Sequence, residues 1–428
     1  MNMQFIRDVK FGGHYDLIVC GAGPGGCAAA VTAGSLGKKV LLIDCAGCLG
    51  GYLTSGLMSI ALDMPGKGGL PRKIVNTLVA DHRAQWVDRK SYTYDIESMK
   101  LLLEQLATQA NVNILYYTRV TDVKKENGKI TAILADGFTS QAFSADFFVD
   151  GTGHGTLSKL AGCEYELGDP KTGLQQPASL EALVIDVPKD LWNSDIHNPS
   201  VKQKLKAMLL SAGVDCSYPM PLLFSLYPNS NVYKLAVNHE YQVSPEDDFS
   251  ITKGTLEARV EINQAVRALR SIPGWEKLSL VQTSEKLGLR DSRRVFGLSR
   301  VNVKDALFGR QYDDSVAPVH FCLDVHKLSP DYVPSAEEVG YRFKPFTVPM
   351  GSLIARDVSN LFLVGRCISG DFLSQSAYRT VTTAFAVGEA VGVAVSRLHS
   401  GDEAAFTNGR AIHEEMIARG YDFSADAE

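Results

Sequence analysis

The clearest pattern in the chain is a short unbroken apolar run near its beginning. Residues 15–20 read YDLIVC, which is typical of a strand buried on both faces. A glycine-rich turn and a helix of small residues follow it, and a second apolar run over 39–43 ends at Asp44. This succession of strand, glycine turn, helix and strand predicts one βαβ unit within a parallel sheet.

The segment after this unit predicts further elements of the same sheet. A helix is predicted over 97–109, because its apolar residues recur at spacings of three and four. The pair Asn127-Gly128 lies between two apolar stretches and is the strongest short signal for a tight hairpin. Strands are predicted at 113–117, 129–134 and 147–150.

From about Tyr165 the pattern changes to alternating strands and helices, and most of the prolines lie beyond this point. Such a mixture predicts a separate α+β domain. At Asn360 the earlier character returns, with the apolar run LFLVG and a long helix of small residues over 376–398. Within the middle region, strands are predicted at 180–187, 232–238 and 277–283, and helices at 201–210 and 255–269.

The predicted fold class is therefore α/β. A Rossmann-like domain, with a parallel sheet and helices, is made from both ends of the chain, and an α+β substrate domain is inserted in the middle. The expected divisions are 1–165 and 345–400 for the first domain, 166–344 for the substrate domain, and 401–428 for a C-terminal helical segment.

Composition narrows the range of partners. The chain has 428 residues, 45% of them hydrophobic and 21% charged, and a net charge of -5, so it lacks the basic field expected of a nucleic-acid-binding protein. No apolar run approaches the ~18 residues needed to span a bilayer, and no secretory signal opens the chain. We expect a cytoplasmic protein without a membrane span, whose eight scattered cysteines are mostly free thiols.

The first glycine-rich turn has the spacing of a dinucleotide-binding site. In the fingerprint GxGxxG the first glycine permits a tight turn, the second a close approach to pyrophosphate, and the third close packing of helix and strand. The helix that follows offers free N–H groups to phosphates. Asp44 ends the second strand, where a carboxylate binds ribose hydroxyls and disfavours a 2′-phosphate. The predicted contacts are Gly21, Gly23, Pro24, Gly25, Gly26 and Asp44.

Three later segments favour FAD over NAD as the dinucleotide. A bound FAD is gripped along its length, and further glycine loops allow the backbone to approach it again. A second GxGxxG with its own strand and acid is missing from the sequence, so no dedicated NAD(P)H domain is expected. The segments are LGGYLTSG, with Gly50, Gly51 and Thr54; Asp150-Gly151-Thr152-Gly153; and Gly365-Arg366.

These segments together resemble the bacterial FAD-dependent oxidoreductase family, whose FAD domain is of the glutathione-reductase type. The similarity covers most of the chain, and the arginine-rich and GRCIS segments are its most particular parts. The matching segments are YDLIVCGAGPGGCAAA (15–30), GGYLTSG (50–56), YTYDIESMK (92–100), VDGTGHGTLSKLAG (149–162), LGLRDSRRVFG (287–297), DVH (324–326), FTVPMGSLI (346–354), NLFLVGRCISG (360–370) and SAYRTVTTAFAVGEAVGVA (376–394).

The resemblance also implies roles for individual residues. A helix beginning near Thr380 would direct its N-terminus at the flavin and stabilise negative charge that develops there on reduction. The family often has an acid where this chain has His154. The implied FAD contacts are Gly21, Gly23, Gly26 and Asp44 for the ADP half, Gly50 and Gly51 for the pyrophosphate and ribityl chain, the backbone of Val120 for adenine, and Gly153, Gly365 and Arg366 for the remainder.

Histidines and arginines are the candidate catalytic residues. A base must take the proton that accompanies hydride transfer, and histidine suits this because its pKa lies near neutrality. His326 is the first candidate, His320 the second and His154 the third. The cluster Arg290, Arg293 and Arg294 either clamps a carboxylate or forms ion pairs between domains, and Arg379 is a similar candidate near the flavin ring.

Cys45 and Cys48 form a CxxC pair, but flavin disulfide reductases place their cysteines after the second glycine pair, so dithiol chemistry is not expected. No second CxxC or nearby histidine completes a metal site. A covalent link between flavin and Cys48 or a histidine stays open.

The leading hypothesis is a dehydrogenase or oxidase that acts on a small oxygenated organic substrate, with an unidentified electron acceptor and oligomeric state. The alternatives are a flavin monooxygenase or halogenase-like enzyme, and a non-catalytic FAD-binding protein.

Overall fold

The computed structural model of the protein describes residues 8–192, 195, 198–330 and 343–427. The strands are β1 (Lys10–Cys20), β2 (Val40–Ile43), β3 (Ile60–Leu62), β4 (Ala84–Trp86), β5 (Ser91–Tyr94), β6 (Asn113–Leu115), β7 (Arg119–Glu126), β8 (Lys129–Asp136), β9 (Ser140–Asp150), β10 (Tyr165–Glu166), β11 (Ala182–Ile185), β12 (Leu222–Ser225), β13 (Val232–Ala236), β14 (Ser279–Thr283), β15 (Arg294–Val295), β16 (Ser315–Val319), β17 (Phe346–Pro349) and β18 (Leu361–Leu363). The helices are α1 (Pro24–Ser35), α2 (Gly69–Ala80), α3 (Ile96–Gln109), α4 (Thr156–Leu160), α5 (Pro199–Ser211), α6 (Asp248–Arg270), α7 (Val303–Phe308), α8 (Phe372–Tyr378), α9 (Val381–Arg397) and α10 (Gly409–Ala418).

A seven-stranded sheet positions everything that follows. Its strand order is β6-β2-β1-β9-β8-β7, and β18 pairs with the C-terminal half of β9. Strands β6, β2, β1, β9 and β18 run parallel, whereas β8 and β7 extend the sheet in antiparallel fashion. The α/β class predicted from the sequence is confirmed, and so is the hairpin, since Asn127 and Gly128 both have positive φ between β7 and β8.

The register of the parallel strands brings their carboxyl ends to one edge. Cys20 at the end of β1 pairs with Ile43 at the end of β2 and with Asp150 at the end of β9. Leu363 at the end of β18 also pairs with Asp150. The loops that follow these strands are therefore neighbours, at the place where open α/β sheets bind their ligands.

Helices α1 and α9 pack with almost no space between their backbones. A Cβ added at Gly388 would overlap the carbonyl oxygen of Gly25, and one at Gly392 would lie 2.8 Å from the carbonyl oxygen of Ala29. Side chains larger than hydrogen at these two positions of α9 would separate the helices. The close contact places the N-terminal half of α9 beside the turn that begins α1.

A second, antiparallel sheet has the strand order β12-β13-β11-β14. One face of it, with Ala182 and Val184, packs against α5 and α6 in a core formed by residues between 178 and 289. The opposite face, with Leu183 and Phe224, packs on the core of the large sheet. Residues between 295 and 323 also contribute to the core of the large sheet. The domain limits expected from the sequence stay a prediction.

The prediction of one long helix over 376–398 is wrong, because the chain forms two helices there, but the helix start near Thr380 that the family resemblance implied is confirmed. Helix α8 ends at Tyr378, and α9 begins at Val381 after Thr380, whose ψ of 150° is extended. The break gives α9 a separate N-terminus.

None of the helices in the described part of the chain has the length and apolarity that a membrane crossing requires.

The contact between α1 and α9 makes a testable prediction. Gly388→Ala should lower the free energy of unfolding by about 1–3 kcal/mol, because the added methyl group meets backbone that cannot move aside. Thermal melting of the purified protein measures this. Gly254→Ala in α6 is the matched control, since its methyl group meets a side chain, Val243, which can shift. Equal melting temperatures for the two variants would contradict the proposed packing constraint.

Candidate functional site

The glycine loops at the carboxyl edge of the large sheet pack directly on one another. Gly21 follows β1 with a φ of 98°, and a Cβ there would overlap the backbone of Gly151, which follows β9. The Gly151 N–H donates to the carbonyl oxygen of Cys20 at 2.8 Å. A Cβ on Gly26 would overlap the carbonyl oxygen of Gly21. Glycine is required here because two loops and a helix occupy the space that side chains would take.

Two further loops reach the same place. The N–H of Gly50 donates to the carbonyl oxygen of Ala22 at 2.8 Å, and a Cβ on Gly51 would lie 3.0 Å from the Cα of Gly23. A Cβ on Gly25 would lie 3.0 Å from the backbone nitrogen of Gly365. We call this convergence the glycine cradle; its members are Gly21, Gly23, Gly25, Gly26, Gly50, Gly51, Gly151, Gly153 and Gly365.

The cradle presents backbone and open space where a dinucleotide would lie. Gly23 caps α1 without a side-chain hydrogen bond, and Pro24 occupies the first turn, so the helix begins with unblocked N–H groups. Gly365 has a φ of 75°, and no protein atom lies within 4 Å of the point where its Cβ would stand. Such open space beside bare backbone fits the close approach of a bound cofactor.

Asp44 is buried at the cradle but is already hydrogen-bonded within the protein. Its carboxylate accepts the N–H of Ala22 at 2.6 Å and that of Ala46 at 2.7 Å, and it lies 3.3 Å from Nζ of Lys286. The carboxylate therefore holds the first glycine turn in shape. Its expected contact with ribose stays a prediction.

Positive charge surrounds the cradle on the side of His154. Nη2 of Arg366 lies 3.2 Å from Nδ1 of His154 and beside Gly153. Burial, together with the positive charges of Arg366, Arg293 and Lys286, holds the pKa of His154 well below its ordinary value. The positive charges around this histidine produce a field that favours an anion, as the pyrophosphate of a dinucleotide requires.

The other expected cofactor contacts have defined positions. Thr54 is buried, and its hydroxyl donates to the carbonyl oxygen of Leu49 at 2.5 Å, which supports the turn at Gly50. Val120 lies buried near the start of β7, the last strand of the sheet. Thr380 is the N-cap residue of α9, and its hydroxyl donates to the hydroxyl of Thr383 at 2.9 Å, so it caps no backbone N–H of the helix. The contacts of these residues with FAD stay predictions.

A second group of polar side chains lies beside the cradle and contains the first candidate base. Nε2 of His326 is 3.3 Å from a carboxylate oxygen of Asp324. Nη2 of Arg379 donates to the same carboxylate at 3.1 Å and to the Asp324 carbonyl oxygen at 2.8 Å. The ring of His239 lies edge-on to that of His326, with their centroids 5.0 Å apart. We call this the arginine–histidine cluster; it comprises Asp324, His326, His239, Tyr218, Arg290 and Arg379.

Burial and nearby positive charge keep the histidines of this cluster neutral. Burial and the positive charge of Arg290 lower the pKa of His326 to about 4, although Asp324 opposes the shift. Burial and Arg290 also hold the pKa of His239 below its ordinary value. A neutral imidazole next to a carboxylate can accept a proton at neutral pH, so His326 is in the state that a general base needs.

Tyr52 and Ser179 connect the cradle with the cluster. The Tyr52 hydroxyl lies 3.1 Å from the Glu181 carboxylate and 3.3 Å from the carbonyl oxygen of Ser179. Nη1 of Arg290 donates to the hydroxyl of the same serine at 2.8 Å. Since Tyr52 directly follows Gly51, the cluster and the cradle are neighbours across one serine.

The three arginines of the LGLRDSRR segment have different surroundings. Residues 289–293 are not a regular strand, so strict alternation does not decide their directions. Arg293 donates to Glu246 at 2.6 Å, to the His154 carbonyl oxygen at 2.7 Å and to the Pro245 carbonyl oxygen at 2.8 Å. Of the two roles considered for these arginines, the contacts of Arg293 support ion pairing between domains rather than binding of a substrate carboxylate. Arg294 pairs with Asp291 at 2.9 Å. Of the three, Arg290 alone belongs to the cluster.

His320, the second candidate base, lies in different surroundings. Its backbone N–H donates to Asp63 at 2.9 Å, and its Nε2 lies 3.3 Å from the carbonyl oxygen of Ser424. Asp63 also pairs with the buried Lys67 at 2.8 Å and accepts the hydroxyl of Thr383 in the first turn of α9. His320 therefore lies near the N-terminus of α9, and a catalytic role for it stays a prediction.

The cysteines of the CxxC pair are free thiols, with Cys45 exposed and Cys48 partly exposed. The Cys48 sulfur lies 3.6 Å from the hydroxyl of Thr54. The described residues contain no group of three or more His, Cys, Asp or Glu side chains that could hold a metal ion.

Several polar residues near the site were not identified from the sequence. Asp324 had a usable signal, since it precedes His326 by two residues and side chains at that spacing share a face in extended chain. Tyr52 lies inside a glycine-rich segment that was considered only for its glycines. His239 and Gln176 had no signal, because only the fold brings them beside residue 326.

Several solved structures have folds similar to this chain. A geranylgeranyl bacteriochlorophyll reductase-like protein from Thermoplasma acidophilum aligns with 95% of this chain and 83% of its own, at 14% identity and a TM-score of 0.46. A flavin-dependent brominase aligns with 94% of this chain and 84% of its own, at 12% identity and a TM-score of 0.49. The p-nitrophenol 4-monooxygenase of Pseudomonas putida aligns with 95% and 85%, at 10% identity and a TM-score of 0.49.

Similarities of this size do not identify a reaction or a substrate. The family comparison is more informative, because the sequence model of the FAD dependent oxidoreductase family matches residues 16–406. The match includes every loop of the glycine cradle and the whole arginine–histidine cluster. The chain therefore belongs to the FAD-dependent oxidoreductase family.

Proposed function

We propose that the enzyme oxidises a hydroxyl-bearing carbon of a small oxygenated organic substrate, and that His326 is the base that takes the hydroxyl proton. The observation that carries this proposal is the His326–Asp324 pair, at 3.3 Å, next to Arg290 and Arg379. Bound FAD supplies a two-electron acceptor.

The FAD would be held by the glycine cradle and the charges around it. Three observations support this fit: bare backbone at the start of α1, open space at Gly365, and surplus positive charge near His154. The break between α8 and α9 supplies a further helix N-terminus at the same edge of the sheet. The residues proposed to hold FAD are Gly21, Gly23, Pro24, Gly25, Gly26, Asp44, Gly50, Gly51, Thr54, Val120, Gly153, Gly365, Arg366 and Arg379.

The proton is handled by the atoms of the cluster. With the proton of the neutral ring on Nε2, facing Asp324, the lone pair of Nδ1 accepts the hydroxyl proton of the substrate. The carboxylate of Asp324 then stabilises the imidazolium that forms. Arg379 holds that carboxylate in place, and Arg290 stabilises negative charge that develops on the substrate oxygen.

Anaerobic mixing of the FAD-bound enzyme with small alcohols, hydroxy acids and sugars tests this function. We expect at least one of them to bleach the flavin absorbance without NAD(P)H. Flavin reduction by NAD(P)H alone, followed by oxygen consumption and an oxygenated product, would instead identify a monooxygenase and contradict the proposal.

His326→Ala should slow flavin reduction by the identified substrate about 10²- to 10⁴-fold, because the proton acceptor is lost. FAD content should stay at the wild-type level. His320→Ala, measured beside it in stopped-flow experiments, compares the two candidate bases, and His399→Ala at the exposed surface is the control. Unchanged reduction in the His326 variant would remove this residue from the mechanism.

The pH dependence of flavin reduction provides a further prediction. Because His326 acts as the neutral base and its pKa is lowered to about 4, the rate should be constant near neutral pH and fall as the pH approaches that value. Arg290→Met removes a charge that lowers this pKa, so the acidic limb should move to higher pH by up to about one unit. Arg397→Met, at a surface ion pair with Glu415, should leave the limb in place. If the acidic limb of the pH profile stays in place in the Arg290 variant, Arg290 does not lower the pKa of the base.

Gly365→Asn tests the cofactor site without depending on turnover. Asparagine tolerates positive φ, but its side chain would fill the open space at this position, so we expect FAD affinity to fall about tenfold or more. Gly173→Asn is a matched control, since Gly173 has a φ of 72° and equally open surroundings. The ratio of flavin to protein absorbance measures retention. Equal FAD retention in both variants would exclude Gly365 from the cofactor site.

A further inference from the structure

Several buried polar atoms near His326 have no hydrogen-bond partner within the described part of the chain. Both ring nitrogens of His239 are unpaired among the described residues, although the residue is only 4% exposed. Nε2 of Gln176, which is 3% exposed, and Nε of Arg379 are also unpaired. Buried polar groups without partners are rare, because each forgoes the hydrogen bond it would make in water. Three side chains of this kind beside one base indicate a polar ligand.

The backbone and the aromatic neighbours hold these atoms in place. The N–H of His239 donates to the hydroxyl of Ser217 at 2.8 Å, and its ring packs against Tyr218 with centroids 4.4 Å apart. The Oε1 of Gln176 accepts the backbone N–H of His326 at 3.2 Å. The unpaired nitrogens are thus fixed beside the residue that takes the proton.

The charges of the cluster favour an anionic ligand. Arg290 and Arg379 are two cations, and Asp324 is the one carboxylate in the cluster, so one positive charge remains unmatched. The described hydrogen bonds of Arg290 use Nη1 alone, toward Ser179 and the Pro177 carbonyl oxygen. Its second terminal nitrogen remains for a carboxylate, whose geometry the planar guanidinium group of arginine matches.

We propose that the substrate is a small hydroxy-carboxylate, with its carboxylate bound by Arg290 and Arg379 and its hydroxyl group hydrogen-bonded by His239. This inference rests on the proposed function, because it places the hydroxyl group next to His326. It also adds His239 as a residue that contacts the substrate and selects for the hydroxyl group. Gln176 donates its free N–H to a remaining oxygen of the same molecule.

Calorimetric titration of the oxidised, FAD-bound enzyme tests the proposal without turnover. The probe is 2-hydroxyisobutyrate, whose carbinol carbon carries no hydrogen and so cannot be oxidised to a carbonyl. Isobutyrate lacks the hydroxyl group, and 2-hydroxyisobutyramide lacks the charge. We expect the hydroxy acid to bind about tenfold or more tightly than either comparison compound.

Two variants separate the two contacts. Arg290→Met should abolish the preference for the acid over the amide, and His239→Phe should abolish the preference for the hydroxy acid over isobutyrate while keeping an aromatic ring against Tyr218. Arg397→Met and His399→Phe at the surface should keep both preferences. Melting temperature and FAD content confirm that each variant is folded.

The proposal is overturned if the wild-type enzyme binds the acid and the amide equally, or if His239→Phe keeps the preference for the hydroxyl group. These outcomes are distinct from failure of the proposed function. If neutral alcohols bleach the flavin but the acid does not bind selectively, the proposed oxidation stands and the proposed carboxylate group of the substrate is wrong. If the acid binds selectively but no hydroxy acid bleaches the flavin, the proposed class of ligand stands and the proposed oxidation is wrong.

Discussion

The rest of the structure depends on one constraint. At the carboxyl edge of the large sheet, glycine residues of different loops and helices bring their backbones into direct contact. Gly21 meets Gly151, Gly51 meets Gly23, and Gly25 meets both Gly365 and Gly388. Each contact joins segments that are distant in the chain. Because no side chain intervenes, the N-termini of α1 and α9 and three loops lie at one place, where they can surround a long, flat cofactor.

This region contains two groups of positively charged side chains, and each group lies beside a neutral histidine. On the cradle side, Arg366 and Lys286 lie near His154, and on the cluster side, Arg290 and Arg379 lie near His326. In both places burial and nearby cations keep a histidine neutral. The physical consequence differs, because the cradle provides phosphate-binding backbone whereas the cluster provides a carboxylate that supports a proton acceptor. Ser179 and Tyr52 lie between the two and link them.

The sequence predicted the parts of the structure that are local. The βαβ unit and the hairpin at Asn127 follow from short patterns of apolar residues and glycines, and the fold class followed from their order. The pattern of small residues alone missed the break before Thr380, because neither glycine nor proline marks it, whereas the family resemblance implied a helix that begins near Thr380. His239 could not be predicted either, since its place beside His326 depends on how the end of β13 packs against a segment far along the chain.

The contact between Gly25 and Gly388 has a consequence for how such a chain can change over evolutionary time. A larger residue at either position would be tolerated only if the facing helix moved outward, and that movement would also carry the turn at Gly365 away from α1. Substitutions along these two helices should therefore occur together in related proteins, although the helices lie at opposite ends of the chain. Exchange of either terminal segment between distant relatives would be expected to fail unless the other segment is exchanged with it.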